Sequence, residues 1–164
     1  MEKLSPDKYV IGILRIALGF YMFWAGIDKI FGFGLATKKD AAIINGGKAT
    51  LGFLKFGTAT SPLHGFYAAI AGNVITEILF VGGLVLIGLA LMLGVGTRIA
   101  GISGAILMSL MYLAVLPMTH NPLLDEHIIY GLSFLYFATM PKVGNYLGFG
   151  AKWGEITNNN PVLA

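Results

Sequence analysis

An apolar run from Tyr9 to Gly32 places the first limit on how this chain can fold. The run is long enough to cross a membrane, because about 20 helical residues at ~1.5 Å each span a hydrocarbon layer of about 30 Å. It nevertheless contains Arg15 and ends on Asp28 and Lys29. Charged side chains in such a helix must reach the lipid headgroups or find partners inside the protein.

The composition also indicates a membrane protein. Of the 164 residues, 56% are hydrophobic and 12% are charged, whereas soluble domains carry about 25% charged residues. The formal net charge is +3, but the Lys and Arg residues lie in loops and at helix ends. We therefore expect contact with lipid headgroups and no nucleic-acid partner. The chain has no cysteine, which excludes thiolate metal sites and cysteine-ligated Fe–S clusters.

The sequence predicts an all-α fold, a single membrane domain over residues 1–164 that forms a four-helix transmembrane bundle. Ser5 and Pro6 are typical of a helix start. The first apolar run is too long for a signal sequence, so we interpret it as a retained membrane helix. The predicted helices cover about residues 6–31, 73–95, 98–116 and 124–140, and an interfacial tail covers 141–164.

A long connection, residues 35–72, separates the first two predicted helices. It is too polar to cross a membrane, because it contains Lys38, Lys39, Asp40, Lys48 and Lys55. It also contains many large apolar residues, which disordered segments usually lack. We therefore expect a partly ordered interfacial or re-entrant segment that covers the mouth of the bundle.

Alternation of the four spans sorts the charged residues by the end of the bundle at which they lie. The second helix must begin on the side where the first one ends, and the fourth must begin where the third one ends. The residues predicted to share one end are Asp28, Lys29, Glu77, His120, Asp125, Glu126 and His127, and those at the opposite end are Arg15 and Arg98.

Several residues at the first of these ends have both a structural and a functional interpretation. Glu77 is either an acid stabilised by the helix dipole or a member of a buried pair with Lys29, shared with His127. His127 is either structural or able to transfer a proton near neutral pH. Asp125 is expected to cap the fourth helix, with Glu126 in its favourable first turn.

The other charged candidates favour structural roles. Arg15 is expected to reach the headgroups, and Arg98 is expected to anchor the turn before the third helix. Asp28 is assigned a structural polar role. His64 and His120 are expected in loops.

Aromatic residues lie near the polar end of the predicted bundle. Tyr21 and Trp24 would line a flat, aromatic-walled pocket, although aromatic residues at this depth also form interfacial belts. Methionine fills packed cores more often than it binds copper. None of the histidines is placed for a facing haem pair. The sequence therefore predicts no haem, Fe–S cluster or metal.

Three stretches resemble the DoxX-type family of membrane proteins. LRIALGFYMFWAGIDKIFG is similar to the first helix of that family, with an early arginine and a W-x-G-x-x-K-like ending. GNVITEILFVGGLVLIGLALMLGVGTRIAG resembles the second helix and the following turn. HNPLLDEHIIYGL is similar to the start of the last helix in the DoxD-like, or thiosulfate dehydrogenase (quinone), branch. The resemblance runs in order through all four predicted helices.

This resemblance implies a membrane subunit of a two-subunit oxidoreductase, in which thiosulfate is oxidised to tetrathionate and electrons pass to quinone. Lys29 would attract the anionic donor, and Glu77 and His127 would handle protons. Tyr21, Trp24 and Tyr130 would flank the quinone ring. The residues carried over by the resemblance are Arg15, Trp24, Lys29, Glu77, Arg98, Asp125, Glu126 and His127.

Two other functions remain open. A non-catalytic structural or assembly subunit of a larger membrane complex would dock through a small-residue ridge formed by Gly101, Ala105 and Ser109. A small transporter is the third possibility, although four spans without an inverted repeat leave little room for one. The expected partners are membrane lipid and a second membrane subunit, in a homo- or hetero-oligomer.

Four crossings would put both chain termini on one side of a prokaryotic-type cell membrane. Six Lys and Arg residues then fall on the terminal side and five on the other side, out of eleven. Because basic residues prefer the cytoplasmic side, this distribution favours cytoplasmic termini.

Overall fold

The all-α prediction is confirmed for the part of the chain that the computed structural model describes, residues 4–117, 121, 123–158, 160 and 162–163. No strand occurs among these residues. The α-helices in chain order are α1 (Pro6–Phe31), α2 (His64–Ile70), α3 (Val74–Leu93), α4 (Thr97–Ala114), α5 (Glu126–Thr139) and α6 (Gly150–Ile156).

Three of these helices, α1, α3 and α4, are long and apolar enough to cross a membrane. Their outer surfaces carry exposed apolar side chains such as Ile13, Leu79 and Ile102, as contact with lipid would require. The length and apolar composition of these three helices therefore indicate an integral membrane protein. α5 has 14 residues and a length of about 21 Å, which is short for a complete crossing.

Local signals in the sequence set the helix ends. Asn73 caps α3 by accepting a hydrogen bond from the Ile75 N–H at 2.9 Å. Gly94 adopts a left-handed conformation with φ of 74° and ends α3 at Leu93, two residues before the predicted end. Asp125 caps α5 as expected, because its Oδ1 accepts from the Ile128 N–H at 3.2 Å.

The long helices pack as two antiparallel pairs, α1 with α3 and α4 with α5. Glycines let the backbones touch in both pairs. A Cβ added to Gly19 would lie 2.9 Å from the Gly88 carbonyl oxygen, and one added to Gly101 would lie 2.6 Å from the Phe134 carbonyl oxygen. α3 and α4 contact each other less extensively, which leaves a gap between the pairs.

The small-residue ridge of α4 faces the interior of the protein. Gly101 and Ala105 are buried, and Gly101 packs against the backbone of α5 at Phe134 and Ala138. Ser109 is exposed. The expectation that this ridge docks a partner is therefore wrong for Gly101 and Ala105, because α5 of the same chain already occupies their face.

The connection between α1 and α3 is folded into short helical segments that cover one end of the bundle. They comprise 3-10 turns at Lys39–Ala41 and Ile43–Asn45, a π-helical turn at Phe53–Gly57, and α2. Two hydrogen bonds fasten this segment to the last turns of α4. The Tyr67 hydroxyl donates to the Leu110 carbonyl at 2.8 Å, and Ser61 Oγ donates to the Leu113 carbonyl at 3.0 Å.

The segment after α5 packs across the opposite end of the bundle. It begins with a 3-10 helix at Pro141–Asn145, in which Val143 and Gly144 are buried. The Phe149 N–H donates to the Leu93 carbonyl at the end of α3, at 2.8 Å. The first turns of α1 lie at the same end, because a Cβ added to Gly12 would lie 2.9 Å from the Tyr146 carbonyl oxygen.

Candidate functional site

A cavity of about 940 Å³ lies between the two helix pairs and beneath the connection. It extends about 16 Å along α3, from Thr76 to Ile87, at ~1.5 Å per residue. Its lining is mostly apolar, and its ionisable side chains gather toward the end covered by the connection. The polar residues that line this end are Lys29, Thr50, Thr76, Glu126 and His127.

Lys29, in the last turn of α1, brings a positive charge to the cavity wall. Its Nζ lies 5.9 Å from the centre of the Phe80 ring, within range of a cation–π interaction. Asp28 and Glu77 act on this charge electrostatically. Among the described residues, however, no carboxylate oxygen lies within 4.0 Å of Lys29 Nζ. The pair expected between Lys29 and Glu77 is therefore not a direct salt bridge in this part of the chain.

His127, in the first turn of α5, lines the cavity and is oriented by the residue that caps the helix. Its Nδ1 lies 2.6 Å from Asp125 Oδ2, while the other oxygen of Asp125 accepts the Ile128 N–H. The two side chains are 14% and 13% exposed. Because Nδ1 is engaged by Asp125, Nε2 is the ring atom left to exchange a proton with a ligand.

The aromatic residues expected at the site divide into two groups. Tyr21 and Tyr130 both line the cavity, with ring centroids 5.2 Å apart. Trp24 does not line it. The Trp24 side chain is 39% exposed and stacks on Phe33 at 5.3 Å. Two tyrosines from neighbouring helix pairs therefore form the aromatic wall, and Trp24 lies one helical turn away from Tyr21.

Glu77 reaches the cavity through a residue of the connection. Its Oε1 accepts hydrogen bonds from the backbone N–H of Thr50, at 2.8 Å, and from Thr50 Oγ1. Thr50 Oγ1 also accepts from the Gly72 N–H at 3.1 Å, and Thr50 itself lines the cavity. Glu77 thus fixes the connection to the first turn of α3.

Asp28 holds the other end of the connection. The side chain is buried, and its two oxygens accept the backbone N–H groups of Phe33 and Thr37 at 3.1 and 2.7 Å. These bonds satisfy two of the backbone donors that follow the end of α1.

Arg15 is fully buried, so the expectation that it reaches the headgroups is wrong. Its Nη1 donates to the carbonyl oxygens of Leu91 and Met92, and its Nη2 donates to the Tyr146 carbonyl at 2.8 Å. The last carbonyls of a helix have no partner within that helix. A guanidinium, with its several donors in one plane, can satisfy them and also bind the C-terminal segment.

Other predicted residues lie away from the cavity. Arg98 is in the first turn of α4, half-buried, and its role as an anchor of the turn stays a prediction. His64 was expected in a loop but begins α2, with its Nδ1 3.0 Å from Thr58 Oγ1. His120 lies outside the described residues.

Sequence reasoning did not single out Thr50 and Tyr67, which also line the cavity. Tyr67 is buried against the end of α4, where its hydroxyl donates to the Leu110 carbonyl, and this burial raises its pKa. Threonine and tyrosine occur in many loops. The only sequence signal for these two was their position in a connection rich in apolar residues.

The hydrogen bonds between Thr50 and Glu77 should stabilise the connection against local opening. Replacing Thr50 with valine removes the hydroxyl bonds to Glu77 and Gly72, a local loss of about 1–2 kcal/mol. We expect trypsin to cleave at Lys48 and Lys55 about 5 to 30 times faster in detergent, since that free energy raises the open population by this factor.

The control for this measurement is Thr60→Val, at an exposed position of the same connection. It should leave the cleavage rate at Lys48 and Lys55 unchanged. Equal rates in Thr50→Val and wild-type protein would show that the Thr50 hydroxyl does not hold the connection.

Comparison of the chain with models of protein families, with curated proteins and with solved structures found no match.

Proposed function

We propose that this chain is a DoxX/DoxD-like membrane protein that serves as the membrane subunit of a quinone-linked, thiosulfate-type oxidoreductase. The observation that carries the proposal is the cavity. It combines a mostly apolar lining with a lysine and an oriented histidine toward one end and two adjacent tyrosines in its wall. Ligand sites typically combine an apolar enclosure of about 300–1,000 Å³ with a few polar groups.

The residues of the cavity fit a quinone. The rings of Tyr21 and Tyr130 provide an aromatic wall, and Lys29 has ammonium donors that no carboxylate of the described residues engages within 4.0 Å. A bound quinone would supply an acceptor for the two electrons and two protons of the overall reaction. We infer that Lys29 donates a hydrogen bond to a carbonyl oxygen of the ring.

The remaining residues have proton-handling and positioning roles in this proposal. Asp125 fixes the imidazole of His127, so Nε2 can give or take a proton at the cavity wall. Glu126 lines the same end and supplies a carboxylate to that proton path. Glu77 holds Thr50 through Oε1, while its Oε2 is buried without a hydrogen-bond partner among the described residues. The predicted role of Glu77 in proton transfer stays a prediction. The anionic sulfur donor would reach the same end, where Lys29 contributes positive charge.

The membrane arrangement in this proposal is the four-helix transmembrane bundle, with α5 as a short fourth crossing in thinner bilayer. The beginning of α1 and the segment after α5 lie at the Arg15 end, which we assign to the cytoplasmic side of a prokaryotic-type membrane. A second membrane subunit is the proposed partner. The exposed apolar surfaces of α1, α3, α4 and α5 could contact this second subunit within the membrane.

Quinone binding tests the proposal directly. The two tryptophans of the chain are Trp24 and Trp153. In a Trp153→Phe background, addition of a tail-free ubiquinone ring should quench the fluorescence of Trp24 saturably. Lys29→Met should weaken this binding about tenfold or more, because hydrogen bonds from a charged donor contribute ~1.5–3 kcal/mol.

Two controls accompany this titration. Lys38→Met removes an exposed lysine of the connection and should leave the affinity unchanged. Trp24→Phe, which keeps only Trp153 in the C-terminal segment, should show no saturable quenching. The absence of saturable quenching in the protein with Trp24 would reject the quinone proposal.

A structural or assembly subunit remains the second candidate. The observation that favours it is that Asp28 and Glu77 both accept hydrogen bonds from backbone N–H groups of the segment between α1 and α3. Under this alternative, Glu77→Gln lowers the recovery of a heteromer in mild detergent while the turnover of each assembled complex stays the same. Under the quinone proposal, Lys29→Met instead lowers turnover in complexes that assemble normally.

A further inference from the structure

The cavity has an opening on its side, between α3 and α4. Several residues that line it are also largely exposed at the outer surface, among them Leu79 at 70%, Leu86 at 67% and Ile106 at 57%. Gly82 and Gly83 line the same gap, and a Cβ added to either would have no atom within 4 Å. The gap follows from the packing, because α3 and α4 belong to different helix pairs.

The surroundings of this opening indicate what passes through it. Apart from Ser103, its rim is apolar, and it lies on two helices that are long and apolar enough to cross a membrane. It therefore faces the hydrocarbon layer rather than water. Ser103 marks its deep end on α4, eleven residues before the end of that helix at Ala114.

The polarity of the cavity changes along the same direction. Lys29, Glu126 and His127 lie at the end covered by the connection, and the deep part is lined by side chains such as Leu86, Ile87 and Leu107. Membrane-dissolved amphipaths have the same order of groups, with a polar head at the interface and an apolar chain in the hydrocarbon. A small anion such as thiosulfate would gain no favourable contact from the apolar part of the cavity.

We propose that the cavity takes a ring-headed isoprenoid lipid directly from the bilayer through the opening between α3 and α4. The ring lies by Lys29, and the single apolar chain passes Gly83 and Ser103 into the surrounding lipid. This inference rests on the proposed quinone function. It adds the route by which the quinone enters and the part of the cavity that binds its isoprenoid chain.

Filling the opening tests this route. Ser103→Phe, in a Trp153→Phe background and in lipid nanodiscs, places a bulky side chain at an exposed position of the rim. We expect the affinity for a ubiquinone with a long isoprenoid chain to fall about tenfold or more, a range typical of altered pocket contacts. The affinity for the tail-free ring should change less than about twofold, because the Lys29 end is untouched.

Two further variants make the result specific. Ile102→Phe adds the same bulk to the neighbouring residue, which is exposed but does not line the cavity, and should change neither affinity. Gly83→Leu fills the opening from the α3 side, where a Cβ has free space, and should reproduce the effect of Ser103→Phe. Each variant is checked for a single elution peak in detergent before binding is measured.

The possible outcomes separate the two proposals. Unchanged affinity for the long-chain quinone in both Ser103→Phe and Gly83→Leu, with normal ring binding, overturns the lateral route and leaves the quinone site standing. An equal loss of ring and long-chain binding also overturns it, since the substitutions then act on the head site. If the tail-free ring does not bind saturably to the protein without rim substitutions, the quinone function itself is rejected.

Discussion

Replacing Arg15 with alanine should lower the free energy of unfolding by about 3 kcal/mol or more, because hydrogen bonds to a charged group contribute ~1.5–3 kcal/mol each. The guanidinium is fully buried and donates to the carbonyls of Leu91, Met92 and Tyr146. Alanine would remove the guanidinium donors from all three oxygens, of which only that of Leu91 would keep a partner among the described residues, the Gly94 N–H at 3.2 Å. It would also leave a void.

The measurement is thermal unfolding in a mild detergent, followed by intrinsic fluorescence. Arg15→Lys should have an intermediate effect, since an ammonium is a compact charge and cannot match the planar fork of donors. Lys142→Ala is the control, because it removes an exposed positive charge from the same end of the bundle. An Arg15→Ala protein as stable as wild type would show that these carbonyls are satisfied in another way.

The same substitution has a local consequence at the C-terminal segment. Arg15 Nη2 bonds to the backbone of Tyr146, and a Cβ at Gly148 would lie 2.8 Å from that nitrogen. Loss of the guanidinium should therefore release residues after Pro141 first. Trypsin cleavage at Lys142 and Lys152 should rise more steeply than cleavage at Lys48.

The second large effect is expected at the crossing of α1 and α3. Gly88→Ala should destabilise the protein by about 2 kcal/mol or more, since overpacking a close contact costs ~1–3 kcal/mol and a backbone cannot rotate away as a side chain can. The added Cβ would meet the backbone nitrogen of Phe23 and lie 2.7 Å from the Gly19 carbonyl oxygen.

The matched control is Gly82→Ala, six residues earlier on the same helix. A Cβ there has no atom within 4 Å, so alanine should be neutral or raise stability by up to about 1 kcal/mol through its higher helix propensity. Urea or thermal unfolding of both variants in one detergent measures the difference. Equal stability of the two would mean that α1 and α3 do not cross at Gly88.

Sequence patterns predicted the helical class and the end at which the polar residues meet. The length and apolar character of the run after Pro6 leave a membrane helix as the favoured structure, and alternation then places Lys29, Glu77 and His127 at one end. The side-chain partners were harder to predict. Glu77 was expected either to be stabilised by the helix dipole or to pair with Lys29, and its Oε1 accepts hydrogen bonds from Thr50, 27 residues away.

Arg15 shows why the partners of a buried charge are hard to infer from sequence. An arginine about two and a half turns inside a membrane helix, as Arg15 is in α1, can extend to the headgroups, or it can be covered by protein. The choice depends on whether another segment packs over that end. The segment after Pro141 does so, because the glycines at 94 and 144 let its backbone approach the end of α3. No periodicity in α1 carries that information.

The sequence by itself determined an all-helical membrane protein with ionisable groups gathered at one end, because both properties follow from the order and spacing of apolar and charged residues along the chain. Only the tertiary structure decided that the helices form two pairs with a cavity between them. Close approach at Gly19 and Gly88 and at Gly101 and Phe134 draws α1 to α3 and α4 to α5. The gap that remains between α3 and α4 is set by backbone contacts between distant segments, which a linear pattern does not encode.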